Sequence, residues 1–185
     1  MNIKVGQELP NFIGKAFDGK EINLAQFQGD QNLVLYFYPK DDTPGCTVEG
    51  IDFSQLNKDF AKSHTKVIGM SRDDSASHER FCHKNNLSIP LLSDEAGSYG
   101  QKLGLLKESG SYFRTTLLVG RDGKIKYIWE AVKASGHAAE VLGKVREFEN
   151  MTQKKLAVGK DLGSTKRAYQ KPAQRAVSKS RFRNR

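Results

Sequence analysis

Short apolar runs alternate with helical apolar repeats over the first 148 residues of the chain. Runs rich in aromatic and β-branched residues, bounded by Gly, Pro, Asn or Asp, are typical of strands. Two pairs of such runs are separated only by Asp-Gly-Lys (18–20) and Arg-Asp-Gly (121–123), so each pair predicts a hairpin. The predicted strands cover residues 12–17, 21–24, 33–38, 66–71, 90–93, 115–119 and 124–129.

Helical periodicity follows several of these strands. Apolar residues recur at Val48, Ile51, Leu56 and Phe60, which predicts a helix that holds Cys46 in its first turn. This helix is expected to end near residue 63. Further helices are predicted from residue 75, with Ser75 as the N-cap, through 86, over 98–103, and along an apolar stripe at 138, 141, 142, 145 and 148.

The order of the elements predicts an α/β fold. A strand–helix–strand–helix passage is followed by a hairpin and a final helix, which favours a mixed central sheet with helices on its faces. At 185 residues the chain is long enough for one domain with a substantial core. We therefore expect one folded domain over residues 1–150 and a separate C-terminal tail over residues 151–185.

Charge distinguishes this tail from the domain. Residues 1–150 contain 19 Lys and Arg and 20 Asp and Glu, a net charge of −1, whereas residues 151–185 contain 11 basic residues and one acid, Asp161. The tail's net +10 thus accounts for the chain's +9. Because apolar residues are sparse, we expect the tail to be disordered, or helical only when bound. It is either a solubilising extension or a segment that attracts nucleic acid or another anionic surface without sequence preference.

Composition limits the class of protein and its cellular location. Hydrophobic residues make up 37% of the chain and charged residues 28%, and no apolar run approaches the ~20 residues of a membrane span. The N-terminus lacks the apolar core of a signal peptide, so we expect a cytoplasmic protein. We also expect the protein to be a monomer. Two cysteines in an intracellular chain indicate redox chemistry or burial, because structural disulfides are rare in that compartment.

Cys46 is the strongest candidate for a reactive residue. It lies where an apolar strand, a loop broken by Pro39, Pro44 and Gly45, and a helix meet. A helix N-terminus has unpaired backbone N–H groups and the positive end of the helix dipole. Both favour the thiolate, which is the nucleophilic form of cysteine.

The residues around Cys46 also match a known family. Pro39, Thr43 and Cys46 have the Pro-x-x-x-Thr-x-x-Cys spacing of the peroxiredoxin active-site motif, and residues 37–47 resemble the branch called bacterioferritin comigratory protein, or PrxQ. Further matches occur at residues 69–73, 91–94 and 114–117, so the resemblance covers the chain from about residue 5 to residue 148. It implies a thioredoxin-like fold.

The resemblance implies a thiol-dependent peroxidase that reduces hydrogen peroxide and organic hydroperoxides. Cys46 would be oxidised to a sulfenic acid, and thioredoxin or a similar dithiol reductant would recycle it. Thr43 would direct its hydroxyl at the sulfur and the peroxide, while the N–H groups of Gly45 and Cys46 donate to the peroxide. Pro39 would shield the site from water, and Arg114 would place a positive charge over the thiolate.

The second thiol has two interpretations. Many members of this branch carry a resolving cysteine five residues after the reactive one, where this chain has Ile51. The other thiol is Cys82, in a helix where some members carry the resolving residue. Cys82 is either that resolving cysteine, which its polar neighbours His83 and Lys84 favour, or a core residue of an enzyme that works with one cysteine.

Other candidates are weaker. Cysteine and histidine spacing matches no metal site, so we expect no metal and no cofactor. We interpret Asp41 and Asp42 as solvated loop carboxylates, and His78 and His83 as exposed helix residues. An alternative function is a redox-sensing or nucleic-acid-associated protein that acts through the basic tail. Repeated peroxide consumption would indicate an enzyme, because a sensor is oxidised only once.

Overall fold

A five-stranded mixed sheet and a separate two-stranded hairpin form the β-structure. The computed structural model describes the backbone of residues 1–167 and the side chains of residues 1–157. The strands are β1 Ile13–Lys15, β2 Glu21–Asn23, β3 Asn32–Phe37, β4 Thr65–Ser71, β5 Leu91–Ser93, β6 Thr115–Val119 and β7 Ile125–Trp129. β1 pairs with β2, and the larger sheet has the order β5-β4-β3-β6-β7.

Among the described residues, a short 3-10 helix at Leu24–Phe27 and four α-helices accompany these strands. The α-helices are α1 Pro44–Lys62, α2 Ser75–Asn85, α3 Ser98–Leu103 and α4 His137–Arg167. The prediction of Ser75 as the N-cap of α2 is wrong. The cap is Asp74, whose carboxylate accepts a hydrogen bond from the Ser77 amide at 2.7 Å. A carboxylate at this position satisfies an unpaired amide and also suits the helix dipole.

The central strand is β3, and its ends position the residues that follow it. β3 runs parallel to β4 and antiparallel to β6, and all six of its residues are buried. A strand covered on both faces needs apolar side chains in both directions, which explains the uninterrupted run at residues 33–37. The parallel β3–β4 pair requires a crossover, and α1 supplies it.

Alternate residues of β3 belong to two packed layers. Leu33, Leu35 and Phe37 join a core with the N-terminal segment and α3. On the opposite face, the Tyr36 ring stacks on Phe53 of α1, and Tyr38 packs against Phe81 of α2. This confirms the predicted mixed sheet with helices on both faces, and it places α1 and α2 side by side over the same face.

The C-terminal part of the chain begins as a second unit within α4. Met1–Glu147 forms one compact unit, and the chain from Phe148 belongs to another. α4 continues beyond the predicted apolar stripe to Arg167, through Lys154, Lys155 and Leu156, which favour helices intrinsically. The remainder of the predicted tail, residues 168–185, lies outside the described residues. Among the described helices, none is both long enough and apolar enough to cross a membrane.

Candidate functional site

Cys46 lies at the start of α1, as the sequence predicts. Pro44 is the first helical residue and Thr43 is the N-cap, so Gly45 and Cys46 carry first-turn amides with no carbonyl partner inside the helix. The Cys46 side chain is 2% exposed, and its thiol is free. A nearly buried sulfur beside two unpaired amides is a site where an incoming oxygen atom can be held.

Arg114 is brought to Cys46 from a distant part of the chain. It directly precedes β6, and its Nη2 donates to Cys46 Sγ at 3.2 Å. β6 pairs with β3, so the end of β6 at which Arg114 enters lies beside the end of β3 from which the Cys46 loop leaves. The antiparallel register therefore places the guanidinium over the sulfur.

Gly45 allows this approach. A Cβ atom at Gly45 would lie 3.2 Å from Arg114 Nη2 and 3.8 Å from the Cβ of Ala134. A contact of 3.2 Å is tighter than nine in ten real Cβ contacts, so any side chain at Gly45 would crowd the guanidinium. A close approach, and not an unusual backbone conformation, explains the glycine.

Glu49 is a site residue that sequence reasoning missed. It is fully buried, its Oε2 forms an ion pair with Arg114 Nη1, and its Oε1 has no hydrogen-bond partner among the described residues. Burial raises the pKa of Glu49 to about 7, although the Arg114 charge opposes the rise. Arg114 therefore contacts two acidic groups: it donates to the Cys46 sulfur and forms an ion pair with the Glu49 carboxyl. The sequence did contain one indication of Glu49: a residue three positions after Cys46 lies on the same helix face.

Thr43 and Pro39 border the same loop. The Thr43 carbonyl accepts two hydrogen bonds from Thr47, one from its backbone amide at 2.9 Å and one from its side-chain hydroxyl at 3.0 Å. The Thr43 hydroxyl itself donates to the Lys40 carbonyl at 3.1 Å. Pro39 directly follows Tyr38 and is partly buried. Thr43 is thus fixed at the helix start, with its hydroxyl proton on the loop backbone and its oxygen lone pairs unused by that bond.

Cys82 lies on α2 and is also buried, at 2% exposure, with a free thiol. Burial, and secondly the negative charge of Asp41, raise the pKa of Cys82 to about 12. Both thiols lie near Tyr36: its pKa is raised first by burial, then by Glu49, Cys82 and Cys46. Cys46 and Cys82 therefore share one face of the sheet, and the raised pKa of Cys82 favours its neutral thiol form.

Two interpretations from the sequence are wrong. Asp41 is not a solvated loop carboxylate: it is 4% exposed and accepts hydrogen bonds from Tyr38 and from residues of α2. His78 is not exposed either, because its side chain is fully buried against Asp41. Asp42 and His83 are exposed, as expected. The burial of His78 could have been predicted from the sequence, because His78 shares a helix face with the apolar Phe81 and Cys82.

His137 is a second buried histidine near Arg114. It hydrogen-bonds to Thr116 Oγ1 at 2.8 Å and packs edge-on against Phe53 and Trp129. Burial lowers the pKa of His137 from 6.5 to about 4. Among the described residues, no group of three or more His, Cys, Asp or Glu side chains is arranged to hold a metal ion.

Glu49 and His137 make opposite contributions to stability between pH 7 and pH 5. The native Glu49 carboxyl keeps a proton that the unfolded chain releases, so its contribution to stability grows as the pH falls from 7 towards 4.5. In the unfolded chain His137 binds a proton below pH 6.5, whereas in the native protein it stays neutral down to about pH 4. Stability is therefore lost as the pH falls from 6.5 towards 4. Each contribution changes by about 2 kcal/mol over this range.

We therefore expect Glu49→Gln to reveal the effect of His137 on the pH dependence of stability, because the opposing effect of Glu49 is removed. The free energy of unfolding, from urea titrations at pH 7 and pH 5, should fall by about 2 kcal/mol more in this variant than in the wild-type protein. Glu79→Gln, which changes an exposed carboxylate on α2, is the matched control and should follow the wild-type protein. A Glu49→Gln variant with the wild-type pH dependence would show that the native carboxyl titrates normally.

Comparisons with known proteins agree with this geometry. The chain matches the model of the AhpC/TSA family over residues 5–128. It is 36% identical to a putative peroxiredoxin bcp of Coxiella burnetii over 152 residues, which cover 78% of this chain and 100% of that protein. It is 34% identical to peroxiredoxin Bcp of Bacillus subtilis over 155 residues, which cover 80% and 98%.

Solved structures show the same relationship. A cysteine-to-serine variant of Xylella fastidiosa PrxQ superposes with a TM-score of 0.76 and 34% identity, covering 80% of this chain and 98% of that one. The bacterioferritin comigratory protein of Xanthomonas campestris gives a TM-score of 0.73 at 33% identity, covering 79% and 99%. These matches confirm the thioredoxin-like fold. The chain therefore belongs to the AhpC/TSA family, in its Bcp/PrxQ peroxiredoxin branch, and is a thiol-dependent peroxidase.

Proposed function

We propose that this peroxidase reduces hydrogen peroxide and organic hydroperoxides at Cys46. The observation that carries this proposal is the 3.2 Å contact between Arg114 Nη2 and the Cys46 sulfur. In the first step the thiolate attacks the terminal oxygen of the hydroperoxide. A sulfur–oxygen bond forms and the O–O bond breaks, which leaves Cys46 as sulfenic acid and releases the alcohol or water after protonation of the leaving oxygen.

The surrounding groups stabilise the charge that develops in this step. The amides of Gly45 and Cys46 point from the helix start, and the Arg114 guanidinium lies over the sulfur. Such fixed donors act most strongly on charge that appears in the transition state. The Thr43 hydroxyl oxygen accepts a hydrogen bond from the peroxide, or its proton turns from the Lys40 carbonyl towards the peroxide. Pro39, which has no N–H, covers the loop side of the site.

We further propose that Cys82 resolves the sulfenic acid and that thioredoxin or a similar dithiol reductant recycles the product. The support is that Cys82 lies on the helix beside α1, over the same face of the sheet. The Cys82 thiol displaces the sulfenic oxygen as water, which forms a disulfide bond. Cys82 is buried and burial raises its pKa to about 12, so we propose that α2 opens before the step occurs.

Cys82→Ser is the test of this proposal. We expect the variant to be oxidised at Cys46 at the wild-type rate but to lose thioredoxin-linked turnover, because no internal thiol remains to form the disulfide. The first step is followed by stopped-flow competition for peroxide, and turnover by NADPH consumption with thioredoxin and its reductase.

Peptide mapping after one equivalent of peroxide, without reductant, identifies the oxidised species. The wild-type protein should contain a bond between Cys46 and Cys82, and the variant should retain a sulfenic acid. Thioredoxin-linked turnover of the variant at the wild-type rate would instead assign Cys82 to packing and establish a one-cysteine cycle.

A further inference from the structure

A buried polar cluster joins the active-site loop to the helix of the second cysteine. We call Tyr38, Asp41, Ser77 and His78 the Asp41 cluster. The Tyr38 hydroxyl donates to Asp41 Oδ1 at 2.8 Å, and the Ser77 hydroxyl donates to Oδ2 at 2.8 Å. His78 Nδ1 lies 2.9 Å from the same Oδ2. One carboxylate therefore connects the end of β3, the loop before Cys46 and the first turns of α2.

The centre of the cluster is buried. Asp41 is 4% exposed, and the His78 side chain is fully buried, with no hydrogen-bond partner at Nε2 among the described residues. Burial alone would raise the pKa of Asp41, but hydrogen bonds from His78, Tyr38 and Ser77 hold it below its usual value. A buried carboxylate with several donors is costly to separate from any one of them, because the remaining charge stays desolvated.

α2 is held at this point by groups close to Cys82. His78 and Cys82 are four residues apart, so they lie on the same buried face of the helix. The contact between Asp42 and Lys84 at 2.8 Å also joins α2 to the loop, but both side chains are largely exposed. Exposed pairs contribute little to stability. Of these two polar contacts between α2 and the loop, the Asp41 cluster is consequently the stronger.

We propose that Ser77 and His78 are positioning residues for the resolving step: through Asp41 they hold α2 against the active-site loop, and their release limits formation of the disulfide. This inference rests on the proposed role of Cys82. The first oxidation needs only the residues around Cys46, so the Asp41 cluster controls the second step and leaves the first unaffected.

The step itself needs no outside reagent. Cys46 sulfenic acid and the Cys82 thiol give one disulfide bond and one water molecule, in which the sulfenic oxygen and both protons leave. While α2 remains in place, the sulfenic acid persists and is open to a second hydroperoxide, which would oxidise it to sulfinic acid and release another alcohol or water. The strength of the Asp41 cluster thereby sets the balance between resolution and overoxidation.

Ser77→Ala tests the proposal with little change in shape. It removes one donor to Asp41, and Ser75→Ala is the matched control, since Ser75 is exposed on the same helix. Reduced protein is mixed with one equivalent of hydrogen peroxide in a quenched-flow instrument, alkylated, and analysed by mass spectrometry. We expect disulfide formation to be about tenfold faster in Ser77→Ala, equivalent to about 1.4 kcal/mol, with sulfenic acid formation within twofold of wild type.

A third variant separates this role from general destabilisation. Ser77→Thr keeps the hydroxyl, so it should retain the wild-type rate of disulfide formation. Hydrogen exchange of the α2 amides in reduced protein should be faster in Ser77→Ala than in Ser75→Ala or Ser77→Thr, while the α1 amides exchange equally in all three.

The outcomes distinguish this inference from the function on which it rests. Equal rates of disulfide formation in Ser77→Ala and Ser75→Ala would overturn the role of the Asp41 cluster while retaining Cys82 as the resolving residue. A wild-type protein that forms no bond between Cys46 and Cys82 would overturn the resolving role itself, and this inference with it.

Discussion

Replacing Cys46 with serine is expected to abolish peroxide consumption. A serine hydroxyl is not ionised at neutral pH, so the variant lacks the anionic nucleophile that attacks the peroxide. The amides of the first turn and the Arg114 guanidinium would remain, but without a nucleophile no charge develops in the transition state for them to stabilise. Purified variant, mixed with hydrogen peroxide and thioredoxin, should consume no peroxide above the uncatalysed rate.

Cys82→Ser is the matched control, because it makes the same chemical change at the other buried thiol. It should retain the first oxidation. Circular dichroism and urea unfolding of both variants would establish that each is folded. Peroxide consumption by folded Cys46→Ser protein at the wild-type rate would exclude Cys46 as the nucleophile.

Arg114→Lys is expected to slow the first oxidation by about 10²–10³-fold. Arg114 uses one terminal nitrogen for the Cys46 sulfur and the other for Glu49. A lysine ammonium cannot reproduce that planar pair of donors, and it would satisfy one partner at the expense of the other. The rate constant is measured by stopped-flow competition for hydrogen peroxide.

Arg80→Lys, at an exposed position of α2, is the corresponding control and should react like the wild-type protein. The Arg114→Lys variant should still form its disulfide once oxidised, since the side-chain hydrogen bonds of Arg114 go to Cys46 and Glu49 of α1 and not to α2 among the described residues. An unchanged rate of first oxidation would leave Arg114 as a structural partner of Glu49 alone.

Much of the fold was predictable because local rules govern it. The run at residues 33–37 could only suit a strand buried on both faces, and Pro44 directly before Gly45 and Cys46 suits the first turn of a helix. The position of Cys46 therefore followed from short stretches of sequence. Only the resemblance to peroxiredoxins connected it with Arg114, which is 68 residues away.

The partners of the buried polar residues could not be predicted from local sequence. Asp41, Glu49 and His78 are polar residue types that are usually exposed, and nothing adjacent to them in the sequence indicates a partner. Each is buried because a distant segment supplies its counterpart: α2 for Asp41, the start of β6 for Glu49, and the active-site loop for His78.

Local patterns along the chain are enough to predict the order of strands and helices, the position of Cys46 at a helix start, and the concentration of positive charge beyond residue 150. The fold had to be known before Arg114 could be seen to bind both Cys46 and Glu49, and before α2 could be seen to join the active-site loop through Asp41. Apolar burial can be predicted because the spacing of apolar residues within one segment shows which face is buried. Burial of a charged group depends on donors that are contributed by other segments, and only the folded chain brings them together.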